Sequence, residues 1–207
     1  NIRFIPGYTN LFAYAAGIGQ SDLSKDSSLI DKNCEETLRF KEFSFVGQKG
    51  SVWRGFAIAR VRQSLNAEQF TYLERENFGG TLGANEATFQ SASEYVQILK
   101  ESRYAISPPG NYSGATFRWL ESIICGAIPL QAFSHPSDPM YRPPIEIPEW
   151  LCSNSWEALL KAAINLPRED SDKLALLLRE RVRTFLNEIN DELWRLQVMR
   201  RKSNFSR

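Results

Sequence analysis

The chain has 207 residues, of which 43% are hydrophobic and 24% are charged. These values are typical of a globular protein and exclude a disordered, collagen-like or low-complexity chain. The formal net charge of +1 gives no overall field that would favour nucleic acid, and no apolar run approaches the ~18 residues of a membrane-spanning helix. We therefore expect a globular domain without a nucleic-acid partner.

Three regions can be distinguished along the chain. Residues 1–42 mix glycine, proline and polar residues without a clear periodicity, and we interpret them as a lead-in segment. Residues 43–166 alternate between strand-like and helix-like patterns. Residues 167–207 carry an apolar stripe at helical spacing followed by a basic tail, which predicts a long C-terminal helix that packs on the domain.

The alternating patterns predict four strands. A helix separates each pair of consecutive strands, and a proline-rich loop separates the fourth strand from the last two helices. The strands are predicted over Phe43–Val46, Phe70–Glu74, Arg103–Ser107 and Ala127–Ala132, and the helices over Val52–Leu65, Ser93–Glu101, Thr116–Cys125, Ser155–Asn165 and Glu169–Arg200. This alternation is typical of an open parallel sheet with helical crossovers. The predicted fold class is α/β, a Rossmann-like parallel sheet with helices on both faces and a long C-terminal helix.

The loop after the third predicted strand is the most informative stretch. Ligands of such sheets bind at the carboxyl ends of the strands, where loops meet helix N-termini. Here a Pro-Pro-Gly turn and a run of small residues lead into a helix that starts at Thr116. The free amides of that helix start form an anion site, and Arg118 in the first turn can bind the same anion through two hydrogen bonds. Glu121, three residues on, can accept bonds from a ribose diol. These residues indicate a nucleoside diphosphate.

A simpler interpretation of the same two residues is available. Arg118 and Glu121 at a spacing of three could form an exposed ion pair that contributes only about 0.3–0.5 kcal/mol. Their position after a Pro-Gly loop and between two predicted core strands favours the binding site.

Three ordered motifs resemble the donor-binding domain of exostosin-like glycosyltransferases. They are Ser102-Arg-Tyr-Ala-Ile-Ser-Pro-Pro-Gly-Asn111, Arg118-Trp-Leu-Glu121 and Gly126-Ala-Ile-Pro-Leu130. Phe43–Gly47, with Arg54 shortly after it, is similar to the first donor-domain strand of that family and the arginine that follows it. The similarity covers about residues 43–166. It implies that the chain is one half of the two-domain GT-B fold.

The resemblance implies a glycosyltransferase that uses a nucleotide-diphosphate sugar as substrate and transfers the sugar to a hydroxyl of a glycan or another acceptor. It implies that Arg118 contacts the donor pyrophosphate and stabilises the leaving group, that Glu121 contacts the ribose, and that Arg54 lies near the phosphates. The loop and the resemblance together predict these substrate-binding residues: Arg54, Pro109, Gly110, Asn111, Ser113, Gly114, Thr116, Arg118 and Glu121. Many relatives have an acidic residue where this chain has Gly114–Ala115, so the donor sugar is left open.

No metal or other cofactor is expected. An arginine and a helix dipole can replace a metal at the leaving group, and the single His135 and three scattered cysteines give no zinc-binding set. In GT-B enzymes the general base normally comes from the N-terminal domain, so we expect the base to lie outside this chain, in an N-terminal acceptor domain or a partner. The chain begins at Asn1 without a methionine, which we interpret as a piece of a longer protein.

The cysteines predict the compartment. Cys34, Cys125 and Cys152 are odd in number and far apart, which favours buried free thiols in a reducing compartment. We expect a cytoplasmic protein with at most peripheral membrane contact, made through the basic tail.

Two other classes stay open at this point. One is a non-catalytic nucleotide-binding or interaction domain of Rossmann-like fold. The other is a generic flavodoxin-like domain, which predicts that Arg118 and Glu121 point away from the carboxyl ends of the strands.

Overall fold

The computed structural model describes residues 39–47, 52–74, 94–108, 117–132 and 145–204, with side chains throughout these ranges except at positions 52, 53, 74, 117, 186 and 189–204. The elements in chain order are β1 (Lys41–Gly47), α1 (Val52–Ser64), β2 (Phe70–Glu74), α2 (94–100), β3 (Ser102–Ile106), α3 (Phe117–Ile124), β4 (Ile128–Leu130), a short 3-10 helix (Glu149–Cys152), α4 (Trp156–Asn165) and α5 (Arg168–Asn204).

The four described strands form one sheet in the order β2-β1-β3-β4, and every neighbouring pair is parallel. Phe43 of β1 is aligned with Phe70 on one side and with Tyr104 on the other. All residues of β3 are buried, as is typical of a strand inside a parallel sheet that is covered on both faces. The predicted α/β class, with a Rossmann-like parallel sheet, is confirmed.

Helices cover both faces of this sheet. Because side chains alternate along a strand, Tyr104 and Ala105 face opposite sides. The hydroxyl of Tyr104 donates a 3.0 Å hydrogen bond to the carbonyl of Ala163 in α4, and α4 contacts α1. On the opposite face, Ala105 packs with Leu99 of α2 and with Ala127. One face is therefore covered by α1 and α4, and the other by α2.

Local signals account for several element ends. The β2 strand has the predicted bounds, and α4 begins directly after Ser155, whose hydroxyl accepts a 3.2 Å hydrogen bond from the amide of Ala158. At the end of α3, Gly126 adopts a φ of 90°, which is the left-handed conformation of a helix C-cap.

Other ends differ from the predictions. The third strand is Ser102–Ile106 rather than Arg103–Ser107. The fourth is Ile128–Leu130 rather than Ala127–Ala132, because the register ends where Ile106, the last residue of β3, meets Leu130. Its Pro129 lacks an N–H group, which a strand at the edge of the described sheet tolerates.

The long C-terminal helix packs on the sheet through its first half. Leu174, Leu178 and Val182 are buried in the main core, and α5 contacts α3 and β4. The remaining positions of the predicted stripe lie outside the described side chains, apart from the half-buried Phe185. Of the lead-in segment, residues 1–38 lie outside the described ranges, and β1 begins at Lys41, two residues earlier than predicted.

A buried arginine ties the sheet to the C-terminal helices. Arg103 of β3 is 7% exposed. Its Nε donates to Ser171 Oγ of α5 at 2.7 Å, its Nη1 to Glu42 Oε1 of β1 at 2.8 Å, and its Nη2 to the carbonyl of Leu166, which follows α4. All three guanidinium nitrogens are thus used to join four elements.

The cysteine prediction is half right. Cys125 and Cys152 are thiols outside any disulfide, as predicted, but each is only partly buried, and Cys34 lies outside the described residues. None of the helices in the described ranges combines the length and apolar character needed to cross a bilayer.

Candidate functional site

The carboxyl ends of β1 and β3 form the point where the sheet topology reverses. From β1 the chain passes through α1 to β2 at one side of the sheet, and from β3 it passes through α3 to β4 at the other side. In open α/β sheets, ligands bind in the crevice that such diverging connections leave between them. The candidate site therefore lies between Gly47, which ends β1, and Ile106, which ends β3.

Arg118, in the first turn of α3, lies in this crevice. Its guanidinium lies against Gly47, and its Cζ atom is 4.9 Å from the centroid of the Phe45 ring. Its Nε and Nη1 atoms are buried and have no hydrogen-bond partner in the described part of the protein. Leaving buried charged donors unsatisfied is costly, and the contact with the Phe45 ring offsets only part of that cost. The group is therefore prepared to bind an anion.

A second arginine lies near the first. Arg54, in the first turn of α1, has a pKa that is lowered from its ordinary value, first by burial and second by the positive charge of Arg118. Both arginines lie on the first turns of helices that follow the central strands, where free amides and the helix dipoles add positive potential. An anion between them would remove their repulsion.

Glu121 lies one turn after Arg118 on α3 and is 9% exposed. Tyr95 of α2 donates a 2.7 Å hydrogen bond to its Oε2 atom. Burial raises the pKa of Glu121, while the bond from Tyr95 and the charge of Arg118 act in the opposite direction. Burial, followed by the neighbouring Glu121, raises the pKa of Tyr95 well above its ordinary value, so the phenol keeps its proton and remains a donor.

Arg118 and Glu121 therefore do not form the exposed ion pair considered above. Glu121 is buried and accepts a hydrogen bond from Tyr95, while Arg118 lies against Gly47 at the end of β1. A generic flavodoxin-like domain predicted that Arg118 would point away from the strand ends, and its guanidinium lies against one of them.

The buried carboxyl group of Glu121 predicts a specific dependence of stability on pH. Because its pKa in the folded state is raised above that in the unfolded chain, its contribution favours folding below the unfolded pKa and is lost as pH rises through the folded pKa. Glu121→Gln cannot ionise, so we expect it to gain stability relative to the wild type as pH rises from about 4 to about 8. Urea unfolding across this range measures the difference, and a difference that does not change with pH would contradict the assignment.

The backbone conformation of Gly47 and the space that Arg118 occupies beside it both depend on the absence of a side chain at position 47. Its φ of 151° is a conformation that other residues rarely adopt, and a Cβ atom there would overlap Nη2 of Arg118. We expect Gly47→Ala to lower the free energy of unfolding by about 1–3 kcal/mol through backbone strain. We also expect it to displace the guanidinium and so to weaken binding of inorganic pyrophosphate, measured by calorimetry.

Gly126→Ala is the matched control for this change. Gly126 also has a positive φ, but its nearest side chain is Arg39, and no atom lies closer than 3.7 Å to the added Cβ. It should lose stability and keep pyrophosphate affinity. Equal pyrophosphate affinity in both glycine variants would show that Gly47 does not set the position of Arg118.

The structure describes three of the predicted site residues, and it groups Arg118 with Arg54 and, one turn away, with Glu121. The other predicted site residues lie outside the described ranges: Pro109, Gly110, Asn111, Ser113, Gly114 and Thr116. His135 also lies outside them. Arg60 is on an exposed helix face, where it pairs with Glu157 at 3.7 Å.

Sequence reasoning places Gly47 at the start of a candidate ligand loop, residues 47–51, but does not predict its contact with Arg118. It misses Phe45 and Tyr95 as parts of the site, since Tyr95 is interpreted as part of an apolar helix face. The phenol was a usable signal, because a buried tyrosine hydroxyl nearly always needs a partner.

In the described ranges, histidine, cysteine and acidic residues form no group that could hold a metal ion. Comparison of the chain with protein-family models, with curated proteins and with solved structures finds no match. What the protein binds therefore has to follow from the chemistry of its own residues.

Proposed function

We propose that this chain is the donor-nucleotide half of a GT-B glycosyltransferase that resembles the exostosin-like family. It binds a nucleotide-diphosphate sugar and transfers the sugar to a hydroxyl of a glycan or another acceptor, in the cytoplasm and with at most peripheral membrane contact. The observation that carries the proposal is the guanidinium of Arg118, which is buried at the topological switch point with two nitrogens unsatisfied.

The chemistry around Arg118 favours a diphosphate that is attached to a ribose. Arg118 and Arg54 bring two positive charges close together at two helix starts, and guanidinium groups bind phosphate oxygens through paired hydrogen bonds. Glu121 adds an acceptor for hydroxyl groups one turn away. A ligand that suits both parts carries adjacent negative charges and a diol, and a sugar nucleotide has both.

In the proposed reaction, the bond between the anomeric carbon and the phosphate oxygen breaks, and the nucleoside diphosphate leaves with additional negative charge. Arg118 stabilises that charge, as fixed cationic donors do at other leaving groups. The acceptor hydroxyl forms the new bond to the anomeric carbon and gives its proton to a general base. We assign that base to an N-terminal acceptor domain or a partner.

Nucleotide binding is the first test. Calorimetric titration of the whole chain with UDP and with GDP should give micromolar affinity for at least one of them. Binding by neither nucleoside diphosphate would overturn the proposal.

A second experiment separates a transferase from a binding module. The chain is incubated with UDP-sugars and GDP-sugars, and release of the nucleoside diphosphate is followed. Release supports donor activation by this half of the enzyme. Release with any of these donors would also exclude the alternative, a non-catalytic nucleotide-binding domain of Rossmann-like fold.

A further inference from the structure

We propose that Tyr95 is a positioning residue for ribose recognition, because its hydroxyl holds the carboxylate of Glu121 in the orientation that accepts the hydroxyls of the donor ribose. This inference rests on the function proposed above. It adds a residue from α2 to a site whose other described members, Arg54, Arg118 and Glu121, lie on α1 and α3.

One oxygen of the Glu121 carboxylate is bound by the protein, and the other is left for a ligand. Tyr95 donates its 2.7 Å hydrogen bond to Oε2, and no described residue donates a hydrogen bond to Oε1. A carboxylate with one oxygen fixed and the other available presents its acceptor in one direction. That arrangement suits a ligand hydroxyl group that donates to Oε1.

The bond from Tyr95 matters because a glutamate side chain has several rotamers. Ordering it at the moment of binding would cost conformational entropy, whereas a carboxylate that is already ordered in the free protein avoids that cost. Tyr95 is suited to the task because its ring is anchored in the cluster that contains Leu99, Ala105 and Ala127. Its hydroxyl remains a donor at all ordinary pH values, since its pKa lies well above the ordinary range.

The chain offers a matched control for removing this hydroxyl. Tyr104 is another tyrosine with a hydrogen-bonded hydroxyl, which donates a 3.0 Å hydrogen bond to the carbonyl of Ala163. That bond joins β3 to α4 and involves none of the charged residues of the site. Tyr95→Phe and Tyr104→Phe therefore each delete one side-chain hydrogen bond, but only the first changes a partner of Glu121.

The test compares nucleotides with and without the 2′-hydroxyl. The wild type, Tyr95→Phe and Tyr104→Phe are titrated with UDP, GDP and their 2′-deoxy counterparts. We expect the wild type to prefer the ribonucleotide by about tenfold or more, which is the contribution of one hydrogen bond to a charged group. Tyr95→Phe should reduce this preference to about threefold or less while its affinity for inorganic pyrophosphate is unchanged. Tyr104→Phe should keep the full preference.

The outcomes separate the failure of this inference from the failure of the proposed function. The positioning role is wrong, while nucleotide binding stands, in either of two cases. One is that Tyr95→Phe keeps the full ribonucleotide preference of the wild type, and the other is that the wild type binds ribonucleotides and 2′-deoxynucleotides equally. If the wild type binds no nucleoside diphosphate, the proposed function itself fails.

A second variant changes the acceptor of the hydrogen bond between Tyr95 and Glu121. Glu121→Asp keeps the negative charge but shortens the side chain, so its carboxylate no longer reaches the phenol of Tyr95. Combined with Tyr95→Phe, it should lower the ribose preference no further than Glu121→Asp alone does, because Tyr95 acts only through the carboxylate of Glu121. Additive losses in the double variant would contradict the coupling. Circular dichroism of each variant checks that it is folded.

Discussion

Arg118→Met is expected to weaken nucleoside-diphosphate binding by about a hundredfold or more while making the folded protein more stable. The affinity falls because hydrogen bonds to a charged group contribute about 1.5–3 kcal/mol each, and the guanidinium supplies two of them in the proposed complex. The stability rises because Nε and Nη1 are buried without partners, and each such donor costs about 1–3 kcal/mol or more when it is charged. Methionine keeps an apolar stem over Phe45 and loses a cation–π contact that contributes about 2 kcal/mol when it is desolvated, which offsets only part of that combined cost.

Calorimetry with UDP and GDP and chemical unfolding measure the two effects of Arg118→Met. Arg60→Met is the control, since Arg60 is an exposed arginine whose guanidinium contacts Glu157 and Phe56. It should change stability by less than about 1 kcal/mol and leave nucleotide affinity unchanged. Wild-type affinity in Arg118→Met would remove Arg118 from the site, and a large loss of stability would make it a structural residue.

Arg103→Met is expected to have the opposite signature, a large loss of stability without a loss of nucleotide affinity. The change leaves the carboxylate of Glu42, the hydroxyl of Ser171 and the carbonyl of Leu166 without their guanidinium partner. Removing one partner of a buried ion pair costs about 3–5 kcal/mol, and we expect the lower end of that range because the side chain of Glu42 is 32% exposed. Arg103 lies near the start of β3, at the opposite end of the sheet from Arg118, so the folded protein should bind nucleotide as before.

Urea unfolding with Lys173→Met as a control isolates the effect of burial at Arg103. Lys173 forms a 2.7 Å ion pair with Glu169, but its side chain is 67% exposed, so its loss should cost less than about 1 kcal/mol. If Arg103→Met is no more destabilising than Lys173→Met, the buried network does not hold the helices to the sheet.

The strands and helices could be predicted because their signals are local. A short β-type run that stops at Gly47 identified β1, and a run that ends at Pro108-Pro109-Gly110 identified β3. The start of α4 is fixed by the hydroxyl of Ser155, and the end of α3 by the positive φ of Gly126. Each of these signals acts within about one helical turn of the residue that carries it, so the sequence is sufficient to find it.

The contacts that build the candidate site are not local, and the sequence did not reveal them. The motif identified Arg118 and Glu121, but it did not show that Gly47 makes room for the first or that Tyr95 holds the second. These contacts depend on which strands become neighbours and on which way each side chain points. Arg103 illustrates the same limit, because a charge inside a predicted strand does not show which groups will satisfy it.

The contacts of Arg103 also have a consequence for biosynthesis. Its partners Leu166 and Ser171 lie 63 and 68 positions later in the chain, so they leave the ribosome well after β1 and β3. Until then, Glu42 is the only one of these partners that has been made, and water must satisfy the rest of the guanidinium. We therefore expect the sheet to reach its final stability only when the C-terminal helices dock on it, so that sheet and helices are completed together.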